Sequence, residues 1–332
     1  HAQLDVDKGV LTAAKRVVEL QHVNFLAMHP NGGKFYAVAG GRVEACIIGF
    51  EIQEDASLKE FTRLKLDDLP AAHISVHPTG KFLLTAHYTG SSVWFFPLNE
   101  SGEIAAGVKH LHEGGSKING KRQDVPHPHW VGFSPDDHYA FVPDLGMDSI
   151  VIYKISNEFE SMEYHGEAYT AEGAGPRHMR FSKDGKFIYL LNEFEMSVRT
   201  YAYDALEGTT KYVADSPTLR PGQIARHDFN AASEILVHPS GNFVYAANRG
   251  HDSISVFEAL EDGTLKRKQI EPIRGAWPRN INIDPSGKWL LAAGQDSSTV
   301  AVFAIDQKTG KLTHQRNSSR YVPSPSCILF SQ

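Results

Sequence analysis

The chain has few cysteines, no long apolar run and no concentration of basic residues. Only Cys46 and Cys327 occur among 332 residues, and their apolar, strand-like surroundings favour packed thiols over a bridge. No stretch approaches 18 consecutive apolar residues, so a membrane span is not predicted. The formal net charge of -6 and the lack of a basic run argue against a nucleic-acid partner.

Several catalytic signatures are also missing. The sequence contains no G-x-S-x-G elbow and no dinucleotide-binding fingerprint. The stretch "GSKINGKR" at 115–122 falls short of a phosphate loop, because Arg122 stands where Ser or Thr would bind magnesium. No cofactor is therefore predicted, and what remains is chemistry carried out by side chains and water.

What the sequence does contain is a repeat. An apolar strand, a turn such as "HPTG" or "DPSG", an aromatic residue and a second apolar strand recur six times. The aromatic residues are Phe35, Phe82, Tyr139, Phe187, Phe243 and Trp289. Their spacing of about 46 to 57 residues, with strand-like alternation and no helical periodicity, predicts an all-β fold of β-propeller blades.

The blade count follows from the first strands of the repeats. Six such strands precede the six turns, and "SPSCILFSQ" at the end of the chain aligns with "WPRNINIDP" as a seventh. The opening "AQLDVDKGVLT" matches "FAIDQKTGKLT", which is the third strand of a blade and the turn that follows. We therefore predict one seven-bladed domain over residues 1–332, closed by N- and C-terminal strands in one blade, with a clipped N-terminus.

The repeat register also predicts which residues surround one mouth of the central channel. The head of each first strand and the end of each second strand lie at the same end of a blade, because the strands are antiparallel. The strand heads hold Asn24, Ala72, His129, Arg177, Ser233 and Arg279, with His178 beside Arg177. The strand ends hold Gly41, Tyr88, Leu145, Glu193, Arg249 and Gln295, preceded by residues that include His87, Asp144, Asn192 and Asn248. A cationic set on an acidic protein predicts an anionic small ligand.

Two structural interpretations stay open. In the first, Arg177 and Arg249 only pair with Glu193 and Asp144 in a structural network that lines the channel. A zinc site is the second interpretation, since imidazoles are common zinc ligands. The histidines in question are His110, His112, His127 and His129. The sequence has no HExxH motif and no carboxylate at ligand spacing, so no metal is predicted.

The stretch "PHPHWVGFSPDD" at 126–137 raises the question of which histidine works. His127 precedes Pro128, which holds it in an extended lead-in. His129 occupies the register of Arg177 at the head of the first strand. We therefore predict that His129 is the working residue and that His127 shapes the rim.

At this point the residues resemble a known family. The blocks "GGSKINGKRQDVPHPHWVGFSPDDHYAFVPDLGMD", "GAGPRHMRFSKDGKFIYLLNE", "YAANRG" and "LLAAGQDS" are similar to those of the seven-bladed propeller lactonases. That family includes bacterial propeller-type 6-phosphogluconolactonases and fungal 3-carboxy-cis,cis-muconate lactonising enzymes. The resemblance implies an active site formed by His129, Arg177, Glu193 and Arg249. His87 departs from the family pattern, in which asparagine is more familiar.

The resemblance implies a lactone hydrolase acting on an anionic sugar lactone. In this hypothesis His129 is the general base, with Glu193 orienting it or serving as the base instead. Arg177 stabilises the oxyanion and Arg249 grips the phosphate or carboxylate. Two alternatives stay open: cycloisomerisation of a carboxylated muconate, and a propeller that only binds an anionic metabolite.

The remaining predictions concern the surroundings of the site. Further substrate contacts are expected from His178, His87, Asn192, Gln295 and Arg279. The partner is a small anionic lactone, without nucleic acid, membrane, metal or cofactor. A cytoplasmic location is expected, with a periplasmic or secreted one as the alternative. The sequence does not determine the oligomeric state.

Overall fold

The computed structural model describes residues 1–41, 44–223 and 230–331. They form antiparallel sheets of an all-β propeller, so the prediction of an all-β propeller is confirmed. Among these residues no helix is long and apolar enough to cross a membrane, and the one helical element is a 3-10 turn, Gly120–Arg122. Cys46 and Cys327 are not joined in a disulfide bridge.

The strands follow in chain order. The earlier ones are β1 Leu4–Asp5, β2 Val10–Leu11, β3 Phe25–Met28, β4 Lys34–Ala39, β5 Cys46–Ile52, β6 Leu58–Lys65, β7 His73–Val76, β8 Phe82–His87, β9 Ser92–Pro97, β10 Val108–Leu111, β11 Gly132–Phe133, β12 Tyr139–Asp144, β13 Ser149–Ile155 and β14 Met162–Tyr169. The later ones are β15 Pro176–Phe181, β16 Phe187–Asn192, β17 Ser197–Asp204, β18 Thr209–Pro217, β19 Ala231–Val237, β20 Phe243–Arg249, β21 Ser253–Ala259, β22 Leu265–Pro272, β23 Pro278–Ile283, β24 Trp289–Gly294, β25 Thr299–Ile305, β26 Leu312–His314 and β27 Arg320–Tyr321.

Each repeat of the sequence becomes one sheet of consecutive strands. Five sheets have four strands, in the orders β3–β6, β7–β10, β11–β14, β15–β18 and β19–β22. The sheet of β23–β26 has a fifth strand, because β27 also pairs with β25. The described residues contain one further sheet, the hairpin of β1 and β2. Six blades are thus complete, and each begins with the strand that the repeat predicts.

The turn sequence of the repeats has a direct hydrogen-bonding explanation. In "HPTG" at 77–80 the Gly80 N–H donates to the His77 carbonyl at 2.8 Å, and the Thr79 N–H donates to His77 Nδ1 at 3.2 Å. Asp284 accepts with its carboxylate in the same place of a later repeat. Gly80 has a φ of +71°, which a residue with a Cβ rarely adopts. The motif therefore fixes a tight connection between first and second strands.

The chain divides into two compact units. Unit 1 consists of His1–Arg16, Arg177–Tyr203 and Thr210–Phe330. Unit 2 is built from Val17–Pro176 and Asp204–Thr209. Each unit has apolar cores between its own sheets. In unit 2 the repeat aromatic Phe82 is fully buried and meets Phe133 of the next sheet edge-on at 5.6 Å.

In unit 1 the chain ends pack on one sheet. The Asn282 side chain donates to the Ile328 carbonyl at 2.8 Å, and the Ile328 N–H donates to the Asn280 side chain at 2.9 Å. Leu11 of β2 shares a hydrophobic cluster with Ile328 and Phe330. The β1–β2 hairpin and the C-terminal segment therefore lie against the same sheet, that of β23–β26.

Candidate active site

Three arginines and one glutamate come together in unit 1, and we call them the arginine cluster: Arg177, Glu193, Arg249 and Arg279. Glu193 follows the last residue of β16, and its Oε2 atom accepts from two guanidinium groups. Arg177 Nε lies 2.9 Å from it, and so does an Nη2 atom of Arg249. Arg177 and Arg249 thus both pair with Glu193, which is one of the two carboxylates that the sequence named as their partners.

Backbone carbonyls of β19 hold the same two arginines. Arg177 also donates to the Ser233 carbonyl, and Arg249 donates to the Ala231 and Ala232 carbonyls at 3.2 and 2.9 Å. The pairing of β19 with β20 shifts register immediately after Ala232. Such a bulge redirects the backbone groups of the strand. Here the bulged strand provides carbonyl acceptors for the guanidinium groups, which are thereby fixed.

Arg279 completes the cluster from β23. It stands at a second register shift, between Pro278 and Asn280, and its side chain is partly exposed. Burial and repulsion from Arg249 both lower the pKa of Arg279, whereas Glu193 opposes this shift. Within residues 1–41, 44–223 and 230–331 its guanidinium has no hydrogen bond or ion pair. Arg279 therefore adds positive charge that the described residues do not neutralise by contact.

A second buried carboxylate, Glu234, was not predicted from the sequence. Its Oε1 atom accepts from His178 Nδ1 and an Arg180 Nη2 atom, both at 3.0 Å, and Oε2 accepts from Asn280 at 2.8 Å. Burial alone would raise the pKa of Glu234, but its interactions with His178 and Arg180 lower it to about 2. A glutamate in the apolar stretch "AASEILV" was the available signal.

His178 itself is buried between charges. Burial, more than any other cause, lowers its pKa to about 4, and Glu234 only partly opposes this. Near neutral pH His178 is therefore uncharged, and it donates its Nδ1 proton to Glu234. This contact occupies one ring nitrogen of a residue that the sequence placed among the substrate contacts.

The charges of this region do not balance. Four guanidinium groups lie around two carboxylates: Arg177, Arg180, Arg249 and Arg279 around Glu193 and Glu234. Burial, with Arg249 next in importance, lowers the pKa of Arg177, but arginine keeps its charge at neutral pH. Unit 1 thus concentrates excess positive charge in a protein with a net charge of -6. Such a concentration attracts an anion.

The predicted histidine His129 lies in unit 2, just ahead of β11. Its N–H donates to the Pro143 carbonyl at 3.0 Å, which extends the ladder with β12 as the register predicts. Its ring meets Tyr88 edge-on at 5.5 Å, and the side chain is buried. His127 stacks on the same Tyr88 at 4.2 Å, and its Nδ1 bonds to the Tyr88 carbonyl at 2.6 Å.

Asp144 organises the segment that carries these histidines. Its Oδ1 atom accepts the His127 N–H at 2.6 Å, and its Oδ2 atom lies 2.7 Å from His112 Nδ1. Pro128 forms a β-bridge with the same aspartate. Asp144 thus pairs with His112, whereas the network interpretation had placed it beside an arginine.

The other predicted site residues have their own partners. His87 is fully buried in unit 2, with Nδ1 bonded to the Leu69 carbonyl at 2.6 Å and Nε2 to Thr85 at 2.8 Å. Asn192 donates to Glu195 and Ser197 in unit 1. The backbone N–H of Gln295 donates to the Trp277 carbonyl at 3.0 Å. As substrate contacts these three residues stay predictions from the sequence.

The described residues contain no group of three or more His, Cys, Asp or Glu side chains arranged to hold a metal ion. The four histidines of the zinc interpretation do not form such a group, and each has its own contacts. His110 contacts Tyr153 edge-on, and His112 bonds to Asp144. The geometry thus offers hydrogen bonding and positive charge as its chemical resources.

Known proteins resemble this chain over most of its length. The family model described as "Lactonase, 7-bladed beta-propeller" matches residues 1–330. A protein of Bacillus subtilis named 6-phosphogluconolactonase is 31% identical, covering 99% of this chain and 93% of its own. One of the same name from Formosa agariphila is 36% identical, covering 87% and 83% respectively.

A solved propeller structure is also similar to this chain over its whole length. The Pseudomonas aeruginosa protein titled "Periplasmic gluconolactonase, PpgL" superposes with a TM-score of 0.92 at 25% identity. The match covers 100% of this chain and 94% of the other.

Proposed function

Because this chain belongs to the seven-bladed β-propeller lactonase family, we propose that it hydrolyses an anionic sugar lactone with the arginine cluster as the anion-binding part of its site. The enzyme is a lactonase, a carboxylic-ester hydrolase. 6-Phosphogluconolactone is the proposed substrate, since relatives that match most of the chain carry the corresponding name.

The observation that carries this proposal is the excess of positive charge in unit 1. Arg279 has no hydrogen-bond or ion-pair partner among the described residues, and Arg249 is 6% exposed. A phosphate group on the lactone would pair with Arg279 and accept a further hydrogen bond from Arg249, since guanidinium groups bind phosphate oxygens through paired N–H donors. An apolar or neutral ligand would leave this charge uncompensated, at a cost in free energy.

The reaction requires a nucleophilic water and stabilisation of the carbonyl oxygen. Water adds to the lactone carbonyl, its proton passes to a base, and the ring C–O bond then breaks to give a carboxylate and an alcohol. A cationic donor at the carbonyl oxygen stabilises the charge that develops there. Arg177 is suited to this role, because Glu193 and the Ser233 carbonyl hold its guanidinium in one orientation.

Glu193 is better suited to positioning than to proton transfer. Its Oε2 atom already accepts charge-assisted hydrogen bonds from Arg177 and Arg249, so the carboxylate holds both guanidinium groups in place. We therefore assign the general base to His129, whose imidazole type suits proton transfer near neutral pH. This assignment chooses between the two bases that the sequence left open.

The experiment that tests the function is a panel assay of acid release. 6-Phosphogluconolactone, a carboxylated lactone and glucono-δ-lactone are compared at equal concentration. The proposal expects the phosphorylated lactone to have the highest kcat/KM. A preference for the neutral lactone, or release of no acid from any of them, would overturn it. Product analysis on a carboxylated muconate covers the cycloisomerase alternative, because only hydrolysis adds water.

Two further proposals concern the fold and the location. We infer that β1, β2 and the segment after residue 325 belong to a seventh blade, which makes residues 1–332 one propeller domain. The contacts of Ile328 with Asn280 and Asn282 support this inference. A cytoplasmic location stays the proposal, with a periplasmic one as the alternative that the Pseudomonas aeruginosa relative suggests.

A further inference from the structure

Trp277 has a backbone conformation that large side chains rarely adopt. Its φ is +60°, in the left-handed region, and it directly precedes Pro278 at the start of β23. For a bulky residue such a conformation is strained, and strain of this kind persists only where the surroundings enforce it. Here the Asp252 carboxylate accepts the Trp277 N–H at 2.8 Å.

The repeat shows that the strain is not required by the fold. Gly175 occupies the same position before the first strand β15, with a φ of +67°, and its N–H donates to the Asp148 carboxylate at 2.9 Å. Glycine adopts this conformation without steric cost. Gly175 and Trp277 thus both have a left-handed backbone and both donate to an aspartate carboxylate, but only Trp277 carries an indole.

The indole lies beside the arginine cluster. The Arg249 guanidinium carbon is 5.4 Å from the centroid of the Trp277 ring, within the range of a cation–π interaction. Arg279 follows two residues later, and the Trp277 side chain is partly accessible. An accessible aromatic surface therefore adjoins the guanidinium groups to which we assign the anion of the substrate.

We propose that Trp277 is a specificity-determining residue, whose indole packs against the ring face of a sugar lactone while the arginine cluster holds the anionic group. The proposal rests on the proposed function and names a contact that selects the sugar ring. A hexose ring presents C–H bonds on its faces, which pack favourably on an electron-rich aromatic surface. An anion without such a ring gains nothing from the indole.

A purely structural role predicts a different set of properties. If Trp277 served only to shield Arg249, its loss would weaken the binding of every anion equally. If it served only the fold, its replacement would lower the melting temperature. Trp277→Gly restores the residue type that the repeat has at Gly175, so the backbone keeps its conformation while the indole is lost.

The test compares Trp277→Gly, Trp277→Phe and the parent enzyme. Inhibition constants are measured for glucose 6-phosphate, which has a hexose ring, and for glycerol 3-phosphate, which has none, beside kcat and KM for 6-phosphogluconolactone. Trp289→Phe is the matched control, because its indole donates to the Val6 carbonyl away from the cluster.

We expect Trp277→Gly to raise the inhibition constant of glucose 6-phosphate and the KM of the lactone about tenfold. The inhibition constant of glycerol 3-phosphate should rise less than about twofold. Trp277→Phe should keep most of the affinity, and the melting temperature of Trp277→Gly should change by only about 3 °C. Equal effects on both phosphates, or none on either, overturn the proposal. If the parent releases no acid from any lactone, the proposed function fails, and calorimetric titration with the same two phosphates still decides the role of Trp277.

Discussion

The Arg177 Nε atom lies 2.9 Å from Glu193 Oε2, and each of the two side chains is only 3% exposed. Removing one partner of a buried pair leaves an uncompensated charge and destabilises a protein by about 3 to 5 kcal/mol. Glu193 serves two arginines at once, so its carboxylate is the element on which the geometry of both guanidinium groups depends.

We therefore expect Glu193→Gln to lower the free energy of unfolding by about 3 kcal/mol, measured by urea denaturation. Inorganic phosphate should raise the melting temperature of this variant more than that of the parent, because the anion replaces the lost charge. Glu195→Gln, two residues further on and exposed, is the control and should have little effect. If phosphate stabilises the variant and the parent equally, the arginine cluster does not bind the anion.

Arg249 allows a direct test of the anion contact. Arg249→Ala should raise the KM for 6-phosphogluconolactone about tenfold or more, because a charge-assisted hydrogen bond is lost. The KM for neutral glucono-δ-lactone should change far less. Arg249→Lys retains the charge and should recover part of the loss. Equal changes for the two lactones would mean that Arg249 only holds the β19 carbonyls.

Much of the fold was predictable because the residues that form the turns recur as a motif in the sequence. In the turns that begin with His or Asp, the first residue, His77 for example, accepts a backbone N–H two residues later, so the repeat motif and the hairpin are the same feature. The register placed Arg177, Glu193 and Arg249 at strand ends, and the structure brings them together. The register placed the head of one first strand at His129, but β11 is shorter and spans only Gly132–Phe133.

Other parts of the site depend on contacts that a periodic pattern does not contain. The pairing of His112 with Asp144 joins residues 32 positions apart, and only the packed sheets determine it. Glu234 stands at a bulge, where the alternation of faces is interrupted. The sequence did contain a signal for Trp277, because this residue replaces the glycine at position 175 of an earlier repeat. Its left-handed backbone, however, is visible only in the structure.

The buried His178 predicts a pH dependence of stability. Its pKa of about 4 in the folded protein is below the ordinary 6.5, so the unfolded chain binds the proton more tightly. The stabilisation that His178 contributes to the free energy of unfolding is therefore fully present above pH 6.5. It is lost as the pH falls towards 4, by about 3 kcal/mol in total. Urea titrations between pH 7.5 and 4 should show this loss in the parent.

His178→Asn keeps a side-chain N–H for Glu234 and removes the titrating group. The slope of unfolding free energy against pH should become shallower over the same range. His165→Asn, an exposed histidine of unit 2, is the matched control and should leave the slope unchanged. Parallel curves for His178→Asn and the parent would show that this histidine does not titrate as its burial implies.

The last prediction concerns the two histidines of "PHPHWVGFSPDD". Both are buried, with exposures of 7% for His127 and 8% for His129, so burial does not distinguish them. Their contacts do. His127 is committed to Tyr88, by stacking and by a 2.6 Å bond to its carbonyl, while its N–H binds Asp144. His129 meets Tyr88 only edge-on and stands in the register of Arg177.

His129→Asn should therefore lower kcat for 6-phosphogluconolactone by roughly two or more orders of magnitude, because a positioned general base contributes about 10²- to 10⁴-fold. Phosphate binding and the melting temperature should stay close to those of the parent, since the His129 backbone bond to Pro143 is kept. His127→Asn should lower kcat much less than His129→Asn does, but it should lower the melting temperature, because it disrupts the Tyr88 stack. If turnover survives the first substitution and is lost in the second, the register argument is wrong and His127 carries the proton.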